Sequence, residues 1–179
     1  MRRVSVIGSS GSGKSTVARS ISDQLGLRYL ELDAIFHQPG WVPKPDAQFR
    51  AEVAEFVRAK HWVVDGNYTT LAVAELVWPA ADTIIWLDPP RRTVMRRVIV
   101  RTLRRVITRE ELWNGNREPW SNLYSFKPEK NIILWAWTRF ARTRAKYEAL
   151  SDDGTWAHVD VRRLRSPRDV AALLLSLED

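Results

Sequence analysis

With 179 residues, 45% of them hydrophobic and 27% charged, the chain is the size of one domain and can bury a core, which excludes wholesale disorder. The net charge of +7 points to anionic ligands without choosing among nucleotides, other phosphorylated metabolites, nucleic acid and lipid head groups. The absence of cysteine excludes a disulfide framework and thiolate metal sites and fits a reducing cytoplasm, while no run approaches the ~20 apolar residues of a membrane span.

Residues 3–7 form a short β-branched run that ends at Gly8, and residues 14–25 then place Val17, Ala18, Ile21 and Leu25 on one helical face. A second strand is expected over 28–32, an amphipathic helix over 46–59 with Asp46 as its acidic N-cap after Pro45, and a third strand over 61–64. Residues 83–87 are a continuous apolar run of the kind buried on both faces of a sheet, and Pro89-Pro90 opens a long helix to about residue 106. Between 113 and 130, Gly115, several Asn and Ser positions and two prolines break the periodicity, which predicts a helical lid over 107–131. A helix over 132–150, a strand over 156–161 and a closing helix over 167–177, begun by Ser166, complete the chain. This alternation predicts right-handed βαβ units in a single domain, 1–179. The fold class is α/β, a three-layer sandwich with a parallel five-stranded sheet that binds its ligands at the carboxyl ends of the strands.

Gly8-Ser9-Ser10-Gly11-Ser12-Gly13-Lys14-Ser15 satisfies the P-loop pattern G-x-x-x-x-G-K-[ST] between an apolar strand and an amphipathic helix, as its mechanism requires. The glycines let successive backbone N–H groups face inward, and the helix N-terminus adds partial positive charge. Gly8 to Thr16 are therefore expected to hold the phosphates of ATP, with Lys14 on the β- and γ-phosphates and the Ser15 hydroxyl on Mg²⁺. The bland alternative is a Gly/Ser-rich turn carrying a solvated lysine.

Asp88-Pro89-Pro90 followed by Arg97-Val-Ile-Val-Arg101 resembles the nucleoside monophosphate kinase-like branch of P-loop proteins, which includes adenylate, shikimate and gluconate kinases, and the likeness runs over nearly the whole chain. It implies that Arg97 packs on the adenine and Arg101 contacts phosphate; residues four apart share a helix face, so both guanidiniums can enter one cleft. The alternative is a solvated basic stripe. More narrowly, Glu31 to His37, Pro39-Gly-Trp41, Asp65-Gly-Asn-Tyr68 and Trp113 to Glu118 look like the small kinase-like proteins called topology modulation proteins.

By the same resemblance, Asp33 falls where shikimate- and gluconate-type kinases place an Asp that serves the metal or the acceptor hydroxyl, and Asp65-Gly66 where such kinases hold Mg²⁺ through water. A hydroxyl acceptor benefits from a carboxylate that takes its proton, whereas a phosphate acceptor needs none. The alternatives are a helix N-cap at Asp33 and a simple turn at Asp65. Asp88 is a weaker metal candidate and reads better as an N-cap. Eight arginines lie between Arg91 and Arg109, more than one triphosphate can engage, so some must be solvated, paired or used on a second anion. Arg117 in the lid is the expected arginine finger, and Arg139, ahead of Arg142 and Arg144, the expected contact from the helix that returns from the lid. Nine tryptophans are present, and Trp113, Trp120, Trp135 and Trp137 around the lid are read as packing rather than base stacking. His37 beside Gln38-Pro-Gly reads as a turn residue.

The expected activity is transfer of the ATP γ-phosphoryl group to an unidentified small-molecule acceptor, at a hydroxyl, by a cytoplasmic monomer or homodimer. The competing readings are a nucleoside monophosphate kinase, disfavoured because the segment between Asp33 and Asp65 supplies only Arg50 and Arg58, and a nucleic-acid-associated ATPase affecting DNA topology, for which no recognition motif is present.

Overall fold

The computed structural model describes residues 1–128 and 131–177. Five strands form one parallel sheet: β1 (Arg3–Gly8), β2 (Arg28–Glu31), β5 (Trp62–Asp65), β6 (Thr83–Leu87) and β7 (Asp160–Leu164), in the spatial order β2-β5-β1-β6-β7. Central β1 pairs Val4 with both Val63 and Thr83, so every side chain of β5 and β6 is buried. The order reverses beside β1, which opens a crevice at the carboxyl ends of the strands.

Strand alternation supplies two cores. Ile7, Trp62, Val64, Ile84 and Trp86 point to one face, against Phe49 and Val53 of α3 (Asp46–Val57) and Tyr147 of α6 (Ile132–Asp152). Val4, Val6, Val63, Ile85 and Leu87 point to the other, against Val17, Ala18 and Ile21 of α1 (Lys14–Leu25) and Leu173 of α7 (Pro167–Leu175). Burying each such large side chain contributes about 1.5–3 kcal/mol. The three layers follow from the strand period of two and the helical period of 3.6. A third cluster, Val94, Met95 and Val98 with Ala136 and Phe140, joins α4 (Arg91–Thr108) to α6.

Several elements differ from the sequence expectation. The last strand lies at 160–164, not 156–161: residues 153–158 turn, with Asp153 bonded to the Thr155 amide, and Trp156 enters the core from that turn against Trp78 and Tyr147. Two stretches left without structure are ordered. One holds the short helix α2 (Leu32–Phe36) and the hairpin β3 (His37–Gln38) and β4 (Val42–Pro43); the other is a π-helical segment, Thr69–Val77, packed on α3. Asp88 caps nothing, because α4 starts after Pro90; instead it accepts from Arg163 at 2.6 Å and lies 3.4 Å from Arg144. Within the predicted lid, α4 ends at Arg109 in a left-handed conformation, Glu111 bridges Arg117, and α5 (Ser121–Tyr124) follows; Glu129 and Lys130 lie outside the described residues. Among the described residues no helix is long and apolar enough to cross a membrane.

Candidate active site

The loop from Gly8 to Gly13 leaves the carboxyl end of β1 with φ of +147° at Gly8, +80° at Gly11 and +102° at Gly13, a region that L side chains rarely adopt. A methyl group at Gly8 would strike the Leu87 carbonyl, and one at Gly11 the Val98 side chain, so β6 and α4 press directly on the loop. Helix α1 begins at Lys14 without a side-chain cap, which leaves its first-turn N–H groups turned to the cradle, where an anion satisfies them. The Lys14 ammonium donates to the Ser9 carbonyl at 3.2 Å, across the loop it is expected to neutralise.

Ser15 opens the metal side. Its hydroxyl donates to Asp65 Oδ2 at 2.5 Å and lies 3.3 Å from Glu31 Oε1, while the Tyr29 phenol donates to the same Asp65 oxygen at 3.4 Å. Burial pushes the Asp65 carboxyl up, opposed by the Lys14 charge and the Ser15 hydrogen bond. Asp65 Oδ1 is buried without a protein partner, and a hard cation or its water meets such an oxygen well. Ser15 and Asp65 thus fit Mg²⁺. Glu31, to which the sequence reading gave no chemical role, ends β2 beside them and is held by Arg19 at 2.8 Å.

On the opposite side, α4 leans over the loop. Arg97 donates to the Ser12 carbonyl at 2.9 Å and Arg101 to the Ser10 hydroxyl at 3.3 Å, so both expected donor-side arginines reach the P-loop. Burial lowers the pKa of Arg101, and the charge of Arg105 adds to this.

Asp33 stands on α2, whose N-cap is Glu31, so it is not a cap. Its Oδ1 accepts from the Tyr68 phenol at 2.6 Å, and the same phenol oxygen lies 3.5 Å from His37 Nε2. Burial, then the adjacent Asp33 charge, pushes the Tyr68 phenol up, which keeps it a proton donor. Burial lowers the pKa of His37, partly opposed by Asp33. His37 is no solvated turn residue: it stacks on Trp113 at 5.9 Å and meets Trp41 edge-on at 5.1 Å.

That stack is part of a contact between the 109–117 segment and the β3–β4 hairpin. Asn114 donates to the carbonyls of Ala34 and His37, Asn116 accepts from the Trp41 amide and donates to the Gln38 carbonyl, and the Trp41 indole donates to the Arg117 carbonyl. The guanidinium of Arg117 lies 3.8 Å from Glu111 and bonds no P-loop residue. Arg139 is exposed on α6. The inward face of that helix carries Phe140, Thr143, Arg144 and Tyr147, which line a small cleft with Ser9 and Asp88, and there Arg144 lies 3.4 Å from Asp88 and from Glu148. Trp113 packs as expected, whereas Trp120, Trp135 and Trp137 stay exposed, the last beneath the guanidinium of Arg91, because α5 and the start of α6 lie at the edge of the fold.

No protein-family model matches the chain. Over 111 residues it is 31% identical to a shikimate kinase from Persephonella marina, covering 54% of this chain and 67% of that one. Over 143 residues it is 31% identical to a cytidylate kinase from Pyrobaculum aerophilum, covering 68% of this chain and 74% of that one. The structure of shikimate kinase from Acinetobacter baumannii in complex with shikimate matches with a TM-score of 0.55 at 15% identity, over 99% of this chain and 90% of that one, a likeness of fold. Equal identity to kinases of two different names leaves what they share, and by that measure the chain belongs to the nucleoside monophosphate kinase-like family of P-loop kinases, ATP-dependent enzymes that phosphorylate small molecules.

Proposed function

We propose that the chain transfers the γ-phosphoryl group of ATP to a hydroxyl group of a small molecule, with Asp33 as the group that orients the hydroxyl and takes its proton. The observation that carries this reading is the Tyr68–Asp33 hydrogen bond of 2.6 Å, which holds a carboxylate between the metal side of the P-loop and the His37–Trp41–Trp113 cluster. A nucleoside monophosphate acceptor requires cations there. The two arginines of that region are committed elsewhere, Arg50 to the Leu71 carbonyl and Glu75, and Arg58 to Glu55.

Lys14 and the N–H groups from Ser9 to Thr16 hold the β- and γ-phosphates, and Arg97 and Arg101 the nucleotide side. Ser15 and Asp65, with Asp33 within reach of the same region, hold Mg²⁺, which when bound neutralises charge on the phosphate oxygens. The acceptor oxygen forms the new bond to the γ-phosphorus as the bond to the β–γ bridging oxygen breaks, ADP leaves, and the hydroxyl proton passes to Asp33. Residues 109–117 act as a lid over the acceptor, and Arg117 turns from Glu111 to the transferring phosphoryl group as a cation of the kind that contributes roughly 10³–10⁵ in rate. Arg144 replaces Arg139 as the contact from α6.

The test is ATP consumption with Mg²⁺ against a panel of nucleosides, nucleotides, sugars and hydroxy acids, with Lys14→Ala as control. Stimulation by one hydroxyl compound that is lost in the control supports the reading. Stimulation confined to nucleoside monophosphates, with a diphosphate as product, overturns the hydroxyl acceptor; turnover retained in Lys14→Ala overturns the P-loop assignment.

A further inference from the structure

Arg92, Arg96, Arg97, Arg101 and Arg104 line an open cavity of about 790 Å³ along α4, bordered by Pro167 at the start of α7, with Arg92 and Arg96 exposed to solvent. Residues four apart stack on one helix face, so two neighbouring ridges form its wall. Arg97 and Arg101 stand on the ridge that bonds the P-loop. Arg92, Arg96 and Arg104 stand on the ridge beside it.

Toward the ends of α4 three arginines have partners. Arg104 pairs with Glu110 at 2.9 Å, Arg105 with Glu118 at 3.5 Å, and Arg91 lies over the Trp137 ring at 3.5 Å. Among the described residues no carboxylate lines the cavity, and none of Arg92, Arg96, Arg97 and Arg101 has an acidic partner within ion-pair distance. Like charges at i and i+4 destabilise a helix, and Arg92/Arg96 and Arg97/Arg101 repeat that arrangement side by side. The Arg101 Nε is buried without a partner. A concave wall of one sign concentrates counter-ions, and guanidinium forks match phosphate oxygens in pairs. A triphosphate seated on the P-loop engages Arg97 and Arg101 and leaves Arg92 and Arg96 unanswered.

We infer that the Arg92–Arg96 side of this cavity is a second anion site, which takes a phosphate group additional to those held by the P-loop. The chemistry is that of a phosphate dianion, and two sources supply it: a further phosphate on the ribose of the bound nucleotide, or a separate polyphosphate anion beside it. The site is independent of the acceptor and of the role of Asp33.

Calorimetric titration tests it in two arms: tripolyphosphate into protein saturated with ADP and Mg²⁺, and adenosine 3′,5′-bisphosphate compared with AMP. Binding of tripolyphosphate to the ADP-loaded protein identifies a separate anion; a gain of about tenfold or more for the bisphosphate over AMP identifies a ribose phosphate. Either signal should fall about tenfold or more in Arg92→Gln/Arg96→Gln, with ADP affinity within about twofold of wild type, and persist in Arg58→Gln/Lys60→Gln, which removes the same charge elsewhere. Failure of both arms in the wild type overturns the inference. So does a signal that survives in Arg92→Gln/Arg96→Gln, or one that falls equally in the two variants, which is diffuse attraction to a basic surface.

Discussion

Asn67 holds Gly8 from both sides: its Oδ1 accepts from the Gly8 amide at 3.3 Å and its Nδ2 donates to the Gly8 carbonyl at 2.6 Å. Strand β5 ends at Asp65, opposite Val6, and the side-chain amide of Asn67 takes the place of the next peptide in the ladder. The Tyr147 phenol donates to the same Oδ1 at 3.0 Å, so α6, β5 and the P-loop meet at one amide. Asn67→Ala leaves the Gly8 groups unpaired, at a cost of about 1–3 kcal/mol each where water cannot replace the partner. The expected outcome is a lower denaturation midpoint together with weaker ATP binding, measured by denaturant unfolding and calorimetry. A change in stability alone would mean that Asn67 does not position the loop.

Tyr68 anchors Asp33 by a hydrogen bond to a charged acceptor, a class worth about 1.5–3 kcal/mol, so Tyr68→Phe is expected to lower kcat by about 10- to 100-fold. ATP affinity should change little, because the Tyr68 phenol bonds Asp33 and lies beside His37, away from the P-loop amides. Asp33→Asn should show the same split more strongly. Equal loss of ATP·Mg²⁺ binding and turnover in Asp33→Asn would make the carboxylate a metal ligand instead of a proton acceptor.

The P-loop was legible in sequence because it is a local object: eight consecutive residues fix the turn, the cradle and the start of α1. Arg97 and Arg101 were named from the Arg-x-x-x-Arg spacing of the resemblance, one helical turn apart, and both bond the loop. On the other side only Asp33 was given a role, since the contacts there join residues far apart in the chain. Tyr68 meets Asp33 across 35 residues and Asn116 meets Trp41 across 75. Glu31 opened the stretch to His37 that carries the narrower resemblance but was given no role, and its value comes from where β2 ends beside Ser15. Arg139 was named over Arg144 without regard to helical phase: Ala136, Phe140 and Tyr147 define the buried side of α6, Arg144 lies at its edge beside Asp88, and Arg139 is exposed. The late strand was misplaced because Trp156 reads as strand core although it enters the core from a turn.

That phase argument makes a direct comparison possible between the two α6 arginines. Arg144 lies 3.4 Å from both Asp88 and Glu148 and faces the cleft at Ser9, so Arg144→Ala removes a cation beside the P-loop and is expected to lower kcat by about 100-fold, the scale of one lost transition-state donor. Arg139→Ala removes an exposed cation and should have a much smaller effect. The reverse order in steady-state kinetics would restore Arg139 to the site.

Helix α7 gives a prediction for acid stability. The Arg165 amide, then the Ser166 hydroxyl and amide, hold the Asp169 carboxyl below its ordinary range, and Ser166 returns a cap to the Asp169 amide. A depressed carboxylate stabilises the fold above the unfolded-state pKa of about 3.9, and its contribution is lost as pH falls through the lower folded-state value. Asp169→Asn should therefore unfold more easily than wild type at about pH 6, and the gap should shrink below about pH 4. A gap independent of pH in urea titrations would assign the effect to hydrogen bonding alone.

Asn116 is the residue on which the fit of the 109–117 segment to the acceptor side turns. It is buried, accepts from the Trp41 amide at 2.9 Å and donates to the Gln38 carbonyl at 3.0 Å, so one side chain pairs with the backbone on both sides of the 39–41 turn. Trp41 sits there at a φ of +62°, a conformation that a side chain larger than glycine holds only when its surroundings fix it. Asn116→Ala frees both groups and releases that turn, while α4 and its hydrogen bonds to Ser10 and Ser12 stay in place. The expected result is a KM for the acceptor raised by about tenfold or more, the scale of two hydrogen bonds, with the KM for ATP within about twofold of wild type. Parallel rises in both constants would mean that the segment closes over the nucleotide, and the acceptor would then be bound without its help.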